Sequence, residues 1–186
     1  MKRFIFLACS ILFAIACNQA GNKTESTSTD SAPTTAAQQE LDFPYTLDKP
    51  YKDWQPGDKK NAVLVMKMVK AWETKNIPEC VSYFADSVEM HFDYFHKTVK
   101  HDSLPKLIEE SWANYASVKI KMQDWESVIS KDGTEEWVTL WYKQSWVDKK
   151  GKADSMSMVN DAKIVNGKIA VFDEKGQHLG APEKEK

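Results

Sequence analysis

His91 and Asp93, in the stretch "VEMHFDYFH", are the pair whose types and spacing best suit chemistry. On an extended chain residues i and i+2 project from the same face, so the two side chains would stand together. Burial favours the protonated form of a carboxyl group, and a neighbouring imidazole can carry the proton onward. Asp93 as base with His91 as its partner would suit abstraction of a proton beside a carbonyl. Alternation allows the opposite placement as well, with both on the solvent face and Met90 and Phe92 filling the core.

Four further side chains are candidates for holding a ligand: Trp72, Trp112, Tyr142 and Asn160. Trp72 and Trp112 fall on apolar helical faces, where core packing is the simpler role. Asn160 and Asp161 interrupt the alternation of "SMSMVNDAKIV", so either one of them faces inward or the strand carries a bulge. Along "EEWVTLWYKQSWVD" Trp137 and Trp141 share one face while Tyr142 and Trp146 share the other. One aromatic face can line a pocket. The other needs a cover, which points to a homodimer through the sheet.

Other chemistries find little to use. His91, His96 and His101 recur every five residues, a spacing that alternates faces on a strand, and nothing completes a ligand set, so no metal is expected. Beyond Cys17 the only cysteine is Cys80, which leaves no disulfide for the domain and reads as a buried, inert thiol. A Gly-rich phosphate loop, a serine nucleophile elbow and a CxxC pair are all missing from the sequence, so no cofactor is expected. A formal net charge of −2 argues against a nucleic-acid partner.

The elements that must position these residues are legible as periodicities. "DFPYTLDKPYKDWQPGD" carries three prolines and reads as an extended lead-in. Asp58 is placed to cap a first helix, whose Val65, Met68, Val69 and Trp72 make one apolar face. Asn76 would end that helix and Pro78 open a short second one, "PECVSYFA", with Asp86-Ser87 as a turn. A strand, a reversal near Asp93 to Phe95 and a short strand follow. A third helix, capped by Asp102 or Ser103, carries the stripe Leu104, Leu107, Ile108, Trp112 and Tyr115. From Ala116 the period becomes two, with turns at Asp132-Gly133 and Asn166-Gly167. Helices first and consecutive antiparallel strands afterwards make an α+β fold, three helices packed on a sheet of about six strands.

The front end gives an address. Lys2 and Arg3 precede an apolar run, Phe4 to Ala16, far shorter than the roughly 20 residues a spanning helix needs. That is the pattern of a secretory signal over 1–16. Ala14-Ile15-Ala16 before Cys17 resembles the lipobox of bacterial lipoproteins, although Ala14 stands where Leu is commoner. The resemblance implies acylation of Cys17 and anchorage to the cell envelope. With Asn18-Gln19 rather than Asp behind the cysteine, the outer membrane is the expected location. Residues 17–40, rich in Ser, Thr, Ala and Gln, form a tether with too little apolar surface to fold, reaching about 25–30 Å. Residues 41–186 are the domain.

Within that domain the first helix ending in "AWETKN", the segment "IPECVSYFADSVEMHF" with its F-A-D-x-V, and a closing meander "IVNGKIAVFDEKG" resemble a nuclear transport factor 2-like, or SnoaL-like, domain. The likeness covers about Lys59 to Lys175. It implies a cone-shaped roll whose curved sheet and helices enclose an apolar pocket, bordered by the first strand. It also implies a choice of roles, because such folds serve isomerases, dehydratases, cyclases and non-catalytic binders. The reading put first is a membrane-tethered binder of a small, mostly apolar ligand. The alternatives are a cofactor-free isomerase, dehydratase or cyclase using Asp93 and His91, and a dimeric interaction module of the envelope.

Overall fold

Asp58 opens the first helix by accepting a hydrogen bond from the Lys60 backbone N–H, which satisfies one of the donors a helix start leaves free. This is seen in a computed structural model that describes residues 43–178. The expectations for the signal 1–16, for Cys17 and for the tether 17–40 lie outside the described residues. One compact unit begins at Leu47.

Helix α1 spans Lys59–Glu73 and buries Val65, Met68 and Val69 along the expected stripe. Lys75 reverses the chain at a φ of 57°. Asn76 does not end α1. It caps α2, Ile77–Ser82, accepting from the Glu79 N–H while its own amide donates to the Glu79 carboxylate. Strand β2, Phe84–Phe92, then starts earlier than expected. Phe84 and Ala85 are extended rather than helical, and Asp86-Ser87 lies inside the strand rather than in a turn. A register shift between Phe84 and Glu89 absorbs the irregularity.

The hairpin into β3, Phe95–Lys100, turns on Asp93 and Tyr94. A 3-10 turn, His101–Ser103, leads into α3, Leu104–Ser111. That helix is shorter than its stripe implied. Trp112 closes it, and Tyr115 is the first residue of β4, Tyr115–Ile129. Strands β5 (Glu136–Asp148), β6 (Ala153–Val165) and β7 (Lys168–His178) complete the meander. Asn166 and Gly167 both have positive φ, 51° and 70°, the backbone that a two-residue turn matching strand twist requires.

The sheet has seven strands in the order β1-β4-β5-β6-β7-β2-β3. The expected six missed the two-residue β1, Gln55–Pro56, which the proline-rich lead-in lays against the end of β4. Every pairing is antiparallel except β2 beside β7. The class is therefore α+β, as read from the sequence.

Helix α1 packs against β4 and β5, and polar contacts fix its place there. The Glu73 carboxylate accepts from the Ile120 N–H at 2.9 Å, Ser127 donates its hydroxyl to the Asp58 carbonyl at 2.9 Å, and Asn61 bonds Glu136. Under the helices, Val138, Leu140 and Tyr142 of β5 and Met158, Asn160 and Ala162 of β6 are all buried, the period-two alternation of a sheet with one covered face. Leu140 is fully buried at the centre of that face. Leu140→Ala should lower the unfolding free energy by about 2–5 kcal/mol, read as a lower urea midpoint with an unchanged slope.

Candidate functional site

Three consecutive antiparallel strands place three polar side chains side by side on the covered face. Asn160 of β6 pairs directly with Glu174 of β7, and with Leu140 of β5, so Tyr142 is its diagonal neighbour. The Tyr142 hydroxyl donates to Asn160 Oδ1 at 3.2 Å, and Asn160 Nδ2 donates to Glu174 Oε2 at 3.5 Å. Phe92 of β2 pairs with Glu174 from the other side.

These side chains help to line a cavity of about 280 Å3. Its walls come from α1 (Val69, Trp72), α2 (Cys80), α3 (Leu107, Ile108, Ser111) and the inner face of the sheet. The aromatic walls brace one another. Phe172 meets both Phe84 and Phe92 edge to face, with ring centroids 6.1 and 6.0 Å away, and Tyr115 meets Trp72 and Trp146 at 6.4 and 5.9 Å. Trp72 is held at its indole N–H, which donates to the Ser111 hydroxyl at 3.2 Å.

The apolar surroundings set the charge states. Burial, with some help from the negative charge of Asp93, raises the pKa of Glu174 above the ordinary glutamate value, against the opposing hydrogen bonds from Asn160 and Tyr142. Burial also pushes the Tyr142 and Tyr115 phenols upward, with Glu174 adding to both. The Cys80 thiol rises to about 12 through burial first and Glu79 second, so the thiol facing the cavity is unreactive, as its sequence context implied. The arrangement supplies phenol, amide and carboxyl donors and acceptors in a mostly apolar space. That is a set able to bind one polar group or to exchange a proton with it.

The sequence candidates divide. Trp72, Tyr142 and Asn160 line the cavity; Asn160 faces inward on an unbroken strand and Asp161 outward. Trp112 does not line it. Buried behind Trp72, it donates its indole N–H to the Trp72 carbonyl at 3.0 Å and so supports the wall from outside. The His91–Asp93 pair is corrected: β2 ends at Phe92, and Asp93 sits exposed in the turn at a φ of 44°. Met90 and Phe92 face the cavity, which leaves His91 on the opposite face, paired with Asp173 and with its ring 5.2 Å from that of His96. Among the described residues no three metal-ligating side chains gather. Glu174 and Gln144 were missed. Their signal was their spacing, i+2 from Phe172 and from Tyr142.

Seven strands in this order, with three helices and a cavity between, resemble solved structures over most of their length. A protein of unknown function from Burkholderia pseudomallei, described as nuclear transport factor 2-like, is similar at 16% identity over 63% of this chain and 90% of its own, with a TM-score of 0.52. The fold is nuclear transport factor 2-like. A Catenulispora acidiphila protein with a ketosteroid isomerase-like fold, solved with trimethylamine, shares it at 14% identity, 62% and 85% coverage and a TM-score of 0.51. An epoxide hydrolase of M. tuberculosis shares it at 10% identity, 64% and 84% coverage and a TM-score of 0.50. No family model and no curated protein matches the sequence. At such identities the nuclear transport factor 2-like fold is what is common, and the site must be argued from its own residues.

The raised pKa of Glu174 has a signed consequence for this nuclear transport factor 2-like domain. Above the ordinary glutamate value of 4.5 the folded state holds a proton that the unfolded chain has released. The stability contributed by the neutral carboxyl is complete below that pH and falls as pH rises through the folded-state pKa. The difference in urea midpoint between wild type and Glu174→Gln should therefore shrink or reverse against wild type as pH climbs. A difference that stays constant with pH would contradict the burial of this carboxyl.

Proposed function

We propose that the protein binds a small, mostly apolar ligand inside the cone, with the ligand's polar group turned to Tyr142, Asn160 and Glu174. The observation that carries this reading is a cavity of about 280 Å3 with a mostly apolar lining that includes the hydrogen-bonded cluster of Tyr142, Asn160 and Glu174. The lipobox-like residues around Cys17 support a lipid anchor at the bacterial cell envelope, with the outer membrane favoured. Among the described residues no helix is long and apolar enough to cross a membrane. A second copy covering the outer sheet face, where Trp137 and Trp141 are only half-buried, would complete a homodimer.

Catalysis is the second reading, and one observation favours it. Glu174 is a carboxyl with a pKa raised by burial, held by an amide beside a phenol, the kind of perturbed group that acid–base catalysis uses. In a cofactor-free isomerase, dehydratase or cyclase of this fold, Glu174 would take the role of base expected of Asp93.

Native mass spectrometry of residues 41–186 should show the domain with a small molecule retained. A bare dimer would overturn the ligand reading in favour of an interaction module. Cys17→Ser should move the full chain from the membrane fraction to the soluble fraction, and a variant that stays with the membrane would contradict the anchor.

A further inference from the structure

We propose that the cavity is built for an organic cation, a small alkyl- or arylammonium whose charged head lies against Glu174 among the aromatic walls. The inference rests on reading the cavity as a ligand site, and it names the ligand's charge and class.

Six aromatic residues line the cavity: Trp72, Phe84, Phe92, Tyr115, Tyr142 and Phe172. Aromatic rings attract ammonium groups through their quadrupole, and such cages are a recurrent means of holding quaternary ammonium. Glu174 is the single acidic residue of the lining, and the lining includes no lysine, arginine or histidine. Among the described residues no salt bridge uses Glu174. Its polar partner is the neutral Asn160, with the Tyr142 phenol close by. The adjacent cation, Lys175, projects to the opposite face, where Asp161 and Asp173 hold it at 2.8 and 2.9 Å.

A carboxylate half-buried against an apolar cavity is costly without a counter-charge. An anionic ligand would add a second negative charge to the cavity. A neutral ligand would leave the carboxyl to stay protonated. A monocation completes the pair while its methyl or methylene groups contact the rings, and the neutral amide and thiol of the lining offer it no competing charge.

Binding is then coupled to a proton. The groups set beside Glu174 are Tyr142 from β5, Tyr115 from β4 and Asn160 from β6, and the charge of Asp93 acts on it from the exposed turn after β2. That charge too favours a cation. Affinity for the cation should rise with pH as Glu174 ionises, then level off.

The test is a chemical-shift titration of the full chain, following the Val69 and Met90 methyl groups that face the cavity. Phenyltrimethylammonium is compared with tert-butylbenzene, its uncharged isostere. The cation should bind roughly tenfold or more tightly than the isostere near neutrality. That preference should be lost in Glu174→Gln and, in wild type, on acidification below the ordinary glutamate range. Equal affinity for the two probes would overturn the cation assignment and leave the ligand cavity standing. Failure of both to shift the cavity methyls would overturn both.

Discussion

A carboxyl, an amide and a phenol share an otherwise apolar interior, and the rest of the structure depends on how they are accommodated. The amide and the phenol would each cost about 2–7 kcal/mol if buried without a partner, and an ionised carboxylate more. Tyr142, Asn160 and Glu174 partner one another because β5, β6 and β7 are consecutive antiparallel strands in a register that aligns them. The meander is thus what makes the polar cluster affordable. Slipping any of these strands by one residue would turn its polar member outward and bring a residue of the outer face in.

The same interior resists collapse. Edge-to-face rings are stiff, area-rich side chains, and here they abut in two groups, Phe84–Phe172–Phe92 and Trp72–Tyr115–Trp146. Helix α1 roofs the space and is fastened by Glu73 at one end and by Asp58 and Asn61 at the other. Trp112 adds a second layer behind Trp72. Walls that brace each other can surround an unfilled volume, which is how a fold stable by its own packing also keeps room for a ligand.

Much of this was legible from local pattern. The cap at Asp58, the stripe of α1 and the turns at Asp132-Gly133 and Asn166-Gly167 are set by neighbouring residues, so sequence suffices to find them. The boundaries of α2 and α3 were not, because their apolar stripes continue into the strands that follow: Phe84 and Tyr115 pack inward from a strand as they would from a helix. Asp93 misled for a related reason. The alternation of "MHFD" extends formally onto it, but Asp tolerates the left-handed backbone of a tight turn, and the turn claimed it. Glu174 lies in "FDEKG", where acidic and basic residues stand side by side and none is marked as inward. Only pairing with Asn160 shows that Glu174 shares the face of Phe172, while Asp173 and Lys175 close a salt bridge on the other side. Register is a tertiary property, and one sequence does not state it.

The most direct measurement is a carbon-13 NMR titration of the Glu174 side-chain carboxyl in the unliganded domain. A midpoint clearly above the ordinary value of 4.5, lowered when an organic cation is added, is what a buried carboxyl without a counter-ion requires. A midpoint at the ordinary value would mean that Glu174 stands in water, and the enclosed polar cluster on which the account rests would not exist.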